Sequence, residues 1–209
     1  MYIELIDLLR CPREHEESWL VAAFHRMQDR FVIEGRLGCP VCSASYSVAG
    51  GVADLRDEQG GLLPTSDAAS AENFGEEAMR VAAMLGLIKP GSVAVLVGMG
   101  ADIAGEVGEL AEARIISLNS RSHQSREREN VAAVISGSRF PLAAASVDGV
   151  MLERGSPESA IAESIRVLKT GGRLVADARL ALSGSLRELA RDEHFVVAES
   201  TGPLLSLSR

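Results

Sequence analysis

Three cysteines and one histidine are the residues of this 209-residue chain best suited to hold a metal ion. Cys39 and Cys42 stand at C-x-x-C spacing, and a tight turn between them would bring both sulfur atoms to one point. His15 follows four residues after Cys11 in a separate stretch. Together the four side chains make a set of soft and borderline ligands that suits tetrahedral zinc. The sequence therefore predicts a zinc site made by Cys11, His15, Cys39 and Cys42.

Two other interpretations of the cysteines stay open. A redox C-x-x-C of the thioredoxin type opens a helix, whereas residues 43–48 (SASYSV) have the pattern of a strand. Redox chemistry is therefore the weaker alternative, and reduced cysteines without a metal are the other. The odd cysteine count argues against a secreted disulfide framework.

The N-terminal quarter of the chain resembles the small zinc-ribbon family that includes the activator subunit of tRNA and protein methyltransferases. The matching positions are Leu8, Leu9, Cys11, Pro12, Cys39, Cys42, Tyr46, Gly51, Val52 and Asp54. The resemblance implies a small zinc ribbon that docks onto a methyltransferase. Glu14 stands where the family has its usual partner cysteine. Either His15 replaces that ligand, or the ribbon is held by packing alone.

A second candidate site follows the first apolar run of the larger C-terminal part. Val93–Val97 predicts a strand, Gly98-Met99-Gly100 a tight turn, and residues 103–111 a helix. Glycine lets the backbone approach a ligand closely, and a helix N-terminus offers free N–H groups. The pattern is typical of nucleotide-binding turns, although any tight strand-to-helix turn uses it too. The third glycine of the dinucleotide fingerprint is absent, which disfavours NAD.

Alternating strands and helices position this turn. Helical stripes cover residues 74–85, 103–110 and 161–168, and a further stripe of Leu182, Leu186 and Leu189 predicts another helix. The predicted strands are Val93–Val97, Arg114–Leu118, Val131–Ile135, Val147–Leu152, 173–178, 195–198 and 204–207. The alternation predicts an α/β fold with a mostly parallel sheet. The connection 199–203 is too short for a parallel crossover, so the last two strands should form an antiparallel hairpin.

Composition divides the chain into three segments. Residues 1–56 hold all the cysteines, residues 57–71 are rich in Gly, Ser, Asp and Ala, and regular patterns begin at residue 72. We expect a zinc-ribbon-like β domain (1–56), a linker (57–71) and a larger domain (72–209). In that domain Ser156 is expected to cap a helix that begins at Pro157 and stops at Gly171-Gly172.

Residues 72–209 resemble class I S-adenosylmethionine-dependent methyltransferases in the stretches SGSRFPLAAASVDGVML and ESAIAESIRVLKTGGRLVADA. The matching residues are Phe140, Pro141, Val147, Asp148, Val150, Arg166, Val167, Leu168, Lys169, Gly171, Gly172 and Leu174. The resemblance implies a Rossmann-like methyltransferase fold, with a mostly parallel seven-stranded sheet and a C-terminal antiparallel hairpin. It also implies S-adenosylmethionine as the cofactor.

Three polar positions that this family uses for the cofactor differ here. Leu96 stands where the family has an acid two residues before the first glycine, and Asn119 stands where it has the ribose-binding acid. The position of the adenine-side acid falls near Gly137 or Ser138. Each lost charge-assisted hydrogen bond is worth about 1.5–3 kcal/mol, so several together cost a few decades of affinity. The resemblance therefore implies a weakened or lost S-adenosylmethionine site. Its expected cofactor contacts are Gly98, Gly100, Asn119 and Ser138.

No residue is identified as catalytic from the sequence. Glu153 follows the fourth predicted strand of the larger domain, where this class of fold places reactive groups. It is a candidate general base, with a solvated loop residue as the favoured alternative. His123 and the arginines of the polar segment 119–130 are interpreted as a solvated helix face, because glutamates alternate with the arginines.

Composition excludes several classes of protein. Hydrophobic residues make up 46% of the chain and charged residues 24%, which is typical of a globular protein with a sizeable core. The net charge of −8 disfavours binding to bare nucleic acid. No apolar run approaches the roughly 18 residues of a membrane span. Glu4 and Asp7 do not fit the basic start of a signal sequence, so we expect a cytoplasmic protein.

Two functions stay open at this stage. One is an S-adenosylmethionine-dependent methyltransferase with a zinc ribbon fused to it, acting on an unidentified acceptor. The other is a non-catalytic methyltransferase-like binding or scaffold protein with a degraded cofactor site. In either case we expect the ribbon to pack on the larger domain, and docking onto a second chain as a homodimer is the competing arrangement.

Overall fold

The computed structural model describes residues 1–56, 74–99, 101–120 and 130–202. In these ranges there are eleven strands, three α-helices and a short 3₁₀ helix, Ile3–Asp7. The strands are β1 (Val21–Gln28), β2 (Phe31–Gly38), β3 (Ser45–Ala49), β4 (Val52–Asp54), β5 (Val93–Val97), β6 (Arg114–Leu118), β7 (Val131–Ile135), β8 (Val147–Leu152), β9 (Leu168–Asp177), β10 (Leu186–Arg191) and β11 (Phe195–Ser200). The helices are α1 (Phe74–Leu85), α2 (Ala101–Leu110) and α3 (Glu158–Val167). The predicted linker 57–71 and the predicted strand 204–207 lie outside the described residues.

Five parallel strands form the centre of the sheet, in the order β7-β6-β5-β8-β9. Helices α1 and α2 pack on one face, and α3 packs on the other. Because both faces are covered, β5 and β6 are buried along almost their whole length. Burial on both faces is why these strands are continuous apolar runs in the sequence. The predicted bounds of β5, β6, β7 and β8 are confirmed, and so is the α/β fold.

An antiparallel hairpin of β10 and β11 lies at one edge of the sheet. β11 contains the predicted strand 195–198, while the strand predicted to pair with it, 204–207, lies outside the described residues. β11 pairs with β9 on one side and with β10 on the other. The helix predicted from Leu182, Leu186 and Leu189 is therefore wrong. Leu186 is 8% exposed and Leu189 is 41% exposed, so the two side chains do not share a buried face. Residues three apart in a strand point to opposite faces, which explains the difference.

The predicted ends of α3 differ from those observed. Pro157 occupies the N-cap position, and the Ser156 hydroxyl donates to the carbonyl of Glu153 instead of capping the helix. The helix ends at Val167 and β9 starts immediately, so the two glycines do not stop the helix. They lie in β9 where its pairing with β8 shifts register. A Cβ at Gly172 would lie 3.0 Å from the backbone carbonyl oxygen of Asp148, so the close approach of the strands requires glycine there.

The four N-terminal strands continue the same sheet. β1, β2, β3 and β4 form an antiparallel series, and β4 then pairs in parallel with β7. The full strand order is β1-β2-β3-β4-β7-β6-β5-β8-β9-β11-β10. Strands β5 to β9 and β11 correspond to six of the seven predicted strands, β10 is a strand where a helix was predicted, and residues 1–56 extend the sheet. The separation of the chain into domains at residues 56 and 72 stays a prediction.

Residues 1–56 and the larger part also share a hydrophobic core. Leu9, Leu37 and Leu55 are fully buried in one cluster with Leu142 and Val167. The backbone of residues 8–10 pairs with the loop after β7: the N–H of Arg10 donates to Pro141, and the N–H of Ala143 donates to Leu8. This contact surface is the packing of N-terminal residues on the larger part that the sequence analysis expects. No helix among the described residues has both the length and the apolarity to cross a membrane.

Candidate functional site

The four predicted metal ligands come together at one point. The donor atoms of Cys11, His15, Cys39 and Cys42 all lie within 4.8 Å of one another. The Cys11 and Cys42 sulfurs are 3.7 Å apart, and Nε2 of His15 lies 3.5 Å from the Cys39 sulfur. With Zn–S bonds of about 2.3 Å and a Zn–N bond of about 2.0 Å, tetrahedral edges are about 3.8 Å and about 3.5 Å. The donor set therefore fits zinc in its chemistry, and these two separations match the edges of a zinc tetrahedron.

A tight turn between β2 and β3 positions Cys39 and Cys42. The N–H of Ser43 donates to the Cys39 carbonyl, and the N–H of Cys39 donates to the carbonyl of Ala44. Ser43 has a positive φ of 58°, which closes the turn over the sulfurs. The chain after Cys42 enters β3, as the sequence predicts, and does not open the helix that a thioredoxin-type motif requires.

The two buried thiols of the cluster have opposite pKa shifts. Burial raises the pKa of Cys39, but the backbone N–H groups of Cys42 and Val41 donate to its sulfur and outweigh burial. With help from the neighbouring thiols, the pKa falls to about 6. Burial raises the pKa of Cys11, and the Tyr46 hydroxyl, 3.4 Å from its sulfur, opposes that rise only in part. The Cys39 sulfur is therefore largely a thiolate at neutral pH, which favours the binding of a cation.

A hydrogen bond at Nδ1 orients the His15 ring so that Nε2 faces the cysteines. Nδ1 of His15 lies 2.6 Å from the carbonyl oxygen of Glu16, so the proton is placed on Nδ1 and the lone pair of Nε2 faces the sulfurs. The exposed Glu14 is not part of the cluster. All four positions around the centre belong to protein side chains, which is typical of a structural metal site.

The glycine turn lies at the point of the sheet where the strand order reverses. From β5 the chain goes to β6 on one side, and β8 pairs on the other side. Ligands of open α/β sheets bind outside the carboxyl ends of the strands at such a point. Gly98 ends β5 there with a φ of +75°, and its N–H donates to the carbonyl of Leu118. Gly100, the second predicted glycine contact, lies outside the described residues.

Glu153 lies directly against this glycine. A Cβ placed on Gly98 would be 2.4 Å from the Oε2 atom of Glu153. The carboxylate therefore fills the space beside the Gly98 Cα at the carboxyl ends of β5 and β8. Glu153 is not among the predicted cofactor contacts, although its position immediately after the apolar strand β8 indicates this edge of the sheet.

The other predicted cofactor residues lie on the same edge of the sheet in different environments. Asn119 follows β6 with a φ of 55°, and its Oδ1 accepts a hydrogen bond from the N–H of Ser136 at 2.9 Å. This hydrogen bond uses one lone pair of Oδ1 to fix the backbone at the end of β7. Ser138 is exposed in the loop after β7. Leu96 is fully buried against the helices. It therefore presents no polar group to the crevice, the surface beside Gly98 at the carboxyl ends of β5 and β8.

Polar residues of the methyltransferase-like signature hold together the loops near the amino-terminal ends of the strands, at the edge of the sheet opposite Gly98. Arg166 donates to the carbonyls of Phe140 and Leu142, both at 2.8 Å. Lys169 and the N–H of Val93 both donate to the carboxylate of Asp148. These contacts give the signature a structural role. His123 and the arginines at 121, 126 and 128 lie outside the described residues.

Comparisons with known proteins give matches among solved structures only. No protein-family model matches the sequence, and no curated protein matches it. One similar structure is geranyl diphosphate methyltransferase in complex with SAM, with 19% identity, a TM-score of 0.42, and coverage of 49% of this chain and 48% of that one. Another is a TehB-like SAM-dependent methyltransferase from Corynebacterium glutamicum, with 16% identity, a TM-score of 0.43, and coverage of 63% and 89%. This chain spans about half the length of the first of these proteins.

Proposed function

We propose that the chain is an S-adenosylmethionine-dependent methyltransferase whose N-terminal residues carry a structural zinc site. The observation that carries the proposal is the position of Gly98. Gly98 has a positive φ and follows the central strand β5, at the point where the strand order reverses. Ligands bind at this point in open α/β sheets. The resemblance of residues 72–209 to class I methyltransferases, taken with this position, favours S-adenosylmethionine as the ligand.

The crevice fits this cofactor with reduced polar contact. Gly98 itself has no side chain, and the Glu153 carboxylate lies beside the path of a ligand to the Gly98 backbone. Asn119 keeps its side-chain N–H donors and a second lone pair on Oδ1 beside the one that Ser136 uses. Leu96 contributes no charge. We therefore expect binding weaker by a few decades than a site with three acids, at 1.4 kcal/mol for each tenfold.

Methyl transfer from a sulfonium requires chiefly the alignment of an acceptor, and the cofactor supplies the reactive methyl group. In this chain the carboxyl ends of β5 and β8 form the walls against which an acceptor is held. Glu153 brings a carboxylate to that position, within reach of a proton released there. Arg166 stabilises the loop that leads into β8 by its two carbonyl contacts.

Zinc would tie the first twenty residues to the turn after β2. Cys11 and His15 come from one segment, while Cys39 and Cys42 come from the turn. The same segment pairs with the loop after β7 through Arg10. A closed four-ligand centre at this place would stabilise the contact between residues 1–56 and the larger part, and it would take no part in methyl transfer.

A second candidate function is a methyltransferase-like binding protein without activity. It is favoured by the apolar Leu96 and by the hydrogen bond that occupies Asn119. Isothermal titration calorimetry of the full chain with S-adenosylmethionine and S-adenosylhomocysteine separates the two functions. Binding at micromolar to submillimolar concentration supports the enzyme. No heat of binding at millimolar ligand contradicts it and favours the binding protein.

A further inference from the structure

The carboxylate of Glu153 lies directly against the glycine turn that follows β5. Its Oε2 lies close enough to Gly98 that even a methyl group on that glycine would collide with it. Any part of a ligand that reaches the Gly98 backbone must therefore lie beside a carboxylate or displace it.

The backbone around Glu153 holds this arrangement from two sides. Its N–H donates to the Val97 carbonyl across the β5–β8 pair at 3.2 Å. The Glu153 carbonyl accepts from both the N–H and the hydroxyl of Ser156, at 3.2 Å and 2.7 Å. The Cα of Glu153 is thus fixed next to the turn. The residue itself is exposed, so the carboxylate borders the solvent-facing crevice.

We infer that Glu153 selects the cofactor by charge, favouring the cationic methyl donor over the demethylated product. The inference rests on the proposed function and assigns this residue a role in ligand discrimination. S-adenosylmethionine and S-adenosylhomocysteine differ by one methyl group and by the positive charge of the sulfonium. A carboxylate at the turn attracts that charge and has no such attraction for the neutral thioether. Release of product after transfer is then favoured by the same group that favours binding of the donor.

The expected size of the effect is about tenfold in the ratio of the two affinities, equivalent to about 1.4 kcal/mol. Salt screens a pair of charges that borders solvent. The preference for the donor should therefore shrink as ionic strength rises in the native protein, and it should be independent of salt once the charge is removed.

The test is calorimetric titration of the full-length chain with S-adenosylmethionine and with S-adenosylhomocysteine. Glu153→Gln keeps the size of the side chain and removes its charge, so the donor-to-product affinity ratio should fall about tenfold. Glu153→Asp keeps the charge and should retain most of the preference, which guards against a general effect of substitution. Glu158→Gln, on the exposed first turn of α3, is the matched control and should leave the ratio unchanged.

Three outcomes overturn the inference. An unchanged ratio in Glu153→Gln shows that the charge does not discriminate between the ligands. An equal gain in affinity for both ligands shows a steric gate instead of a charge selector. Failure of the native protein to bind either ligand removes the proposed function as well, so the two failures are distinguishable.

Discussion

Loss of the metal centre should destabilise the protein by an amount that the structure allows us to estimate. The pKa of Cys39 is lowered to about 6, so this residue offers a thiolate to the metal. The Cys39→Ser substitution puts a hydroxyl in its place, and that hydroxyl stays protonated. The sulfurs of Cys11 and Cys42 and Nε2 of His15 then lack the fourth ligand of the predicted zinc tetrahedron. We expect Cys39→Ser to lose the metal and to weaken the contact between residues 1–56 and the larger part.

The magnitude follows from linkage between metal binding and folding. Zinc at a thousand times its Kd stabilises the folded state by about 4 kcal/mol. In a chain of this length each 1 kcal/mol shifts the Tm by about 2–4 °C. Chelation of the native protein, or the Cys39→Ser substitution, should therefore lower the Tm by about 8–16 °C.

The assay is differential scanning calorimetry with and without EDTA, together with elemental analysis of the purified chain. Ser45→Ala is the matched control, because this exposed residue lies in β3 just beyond the turn. Its Tm should change by no more than about 2 °C, as expected of a surface change. A metal-free chain with the same Tm in EDTA would refute the argument. His15→Ala tests the fourth ligand, and full zinc occupancy in that variant would contradict its role.

The pKa shifts give this prediction a pH dependence. The pKa of Cys39 is 9.0 in the unfolded chain and about 6 in the folded metal-free one. Ionisation of this thiol therefore stabilises the fold, and the stabilisation is complete above about pH 9. That stabilisation is lost as pH falls toward 6. Cys11, with its raised pKa, must release a proton on metal binding. Zinc affinity, measured by competition with a chelator, should fall with decreasing pH and more steeply below about pH 6.

Three further predictions concern the crevice and the N-terminal strands. Gly98→Val should abolish measurable S-adenosylhomocysteine binding, because its Cβ collides with Glu153 and φ is +75°. Gly155→Ala, with a φ of +79° and no atom near its Cβ, is the control that carries strain without a clash. Asn119→Asp should tighten the same binding about tenfold in calorimetry, because it retains the acceptor for Ser136 and adds a carboxylate; weaker binding would contradict this. A fragment of residues 57–209 should be less soluble in sedimentation assays than the full chain, because removal of β4 leaves β7 as an open edge. If the fragment is an equally soluble monomer, the two parts are independent.

The sequence alone was sufficient for the features that depend on short stretches of chain. β5 and β6 are buried on both faces, and a strand in that position needs an unbroken apolar run that is visible in the sequence. Gly98 was recognisable because a tight turn after a strand needs a residue tolerant of positive φ. The ligand set was recognisable because few residue types bind zinc. Whether zinc and cofactor bind stays a prediction.

Only the tertiary structure decided which distant residues meet. Leu186–Arg191 forms a strand and not the predicted helix, because β11 provides the hydrogen-bonding partner that its own sequence cannot show. The pairing of β4 with β7 joins residues 1–56 to the larger sheet across the unpatterned residues between them. Glu153 reaches Gly98 because β8 pairs with β5, although 55 residues separate the two positions in the sequence. Strand pairing is set by packing between segments far apart in the chain, and local periodicity carries no record of it.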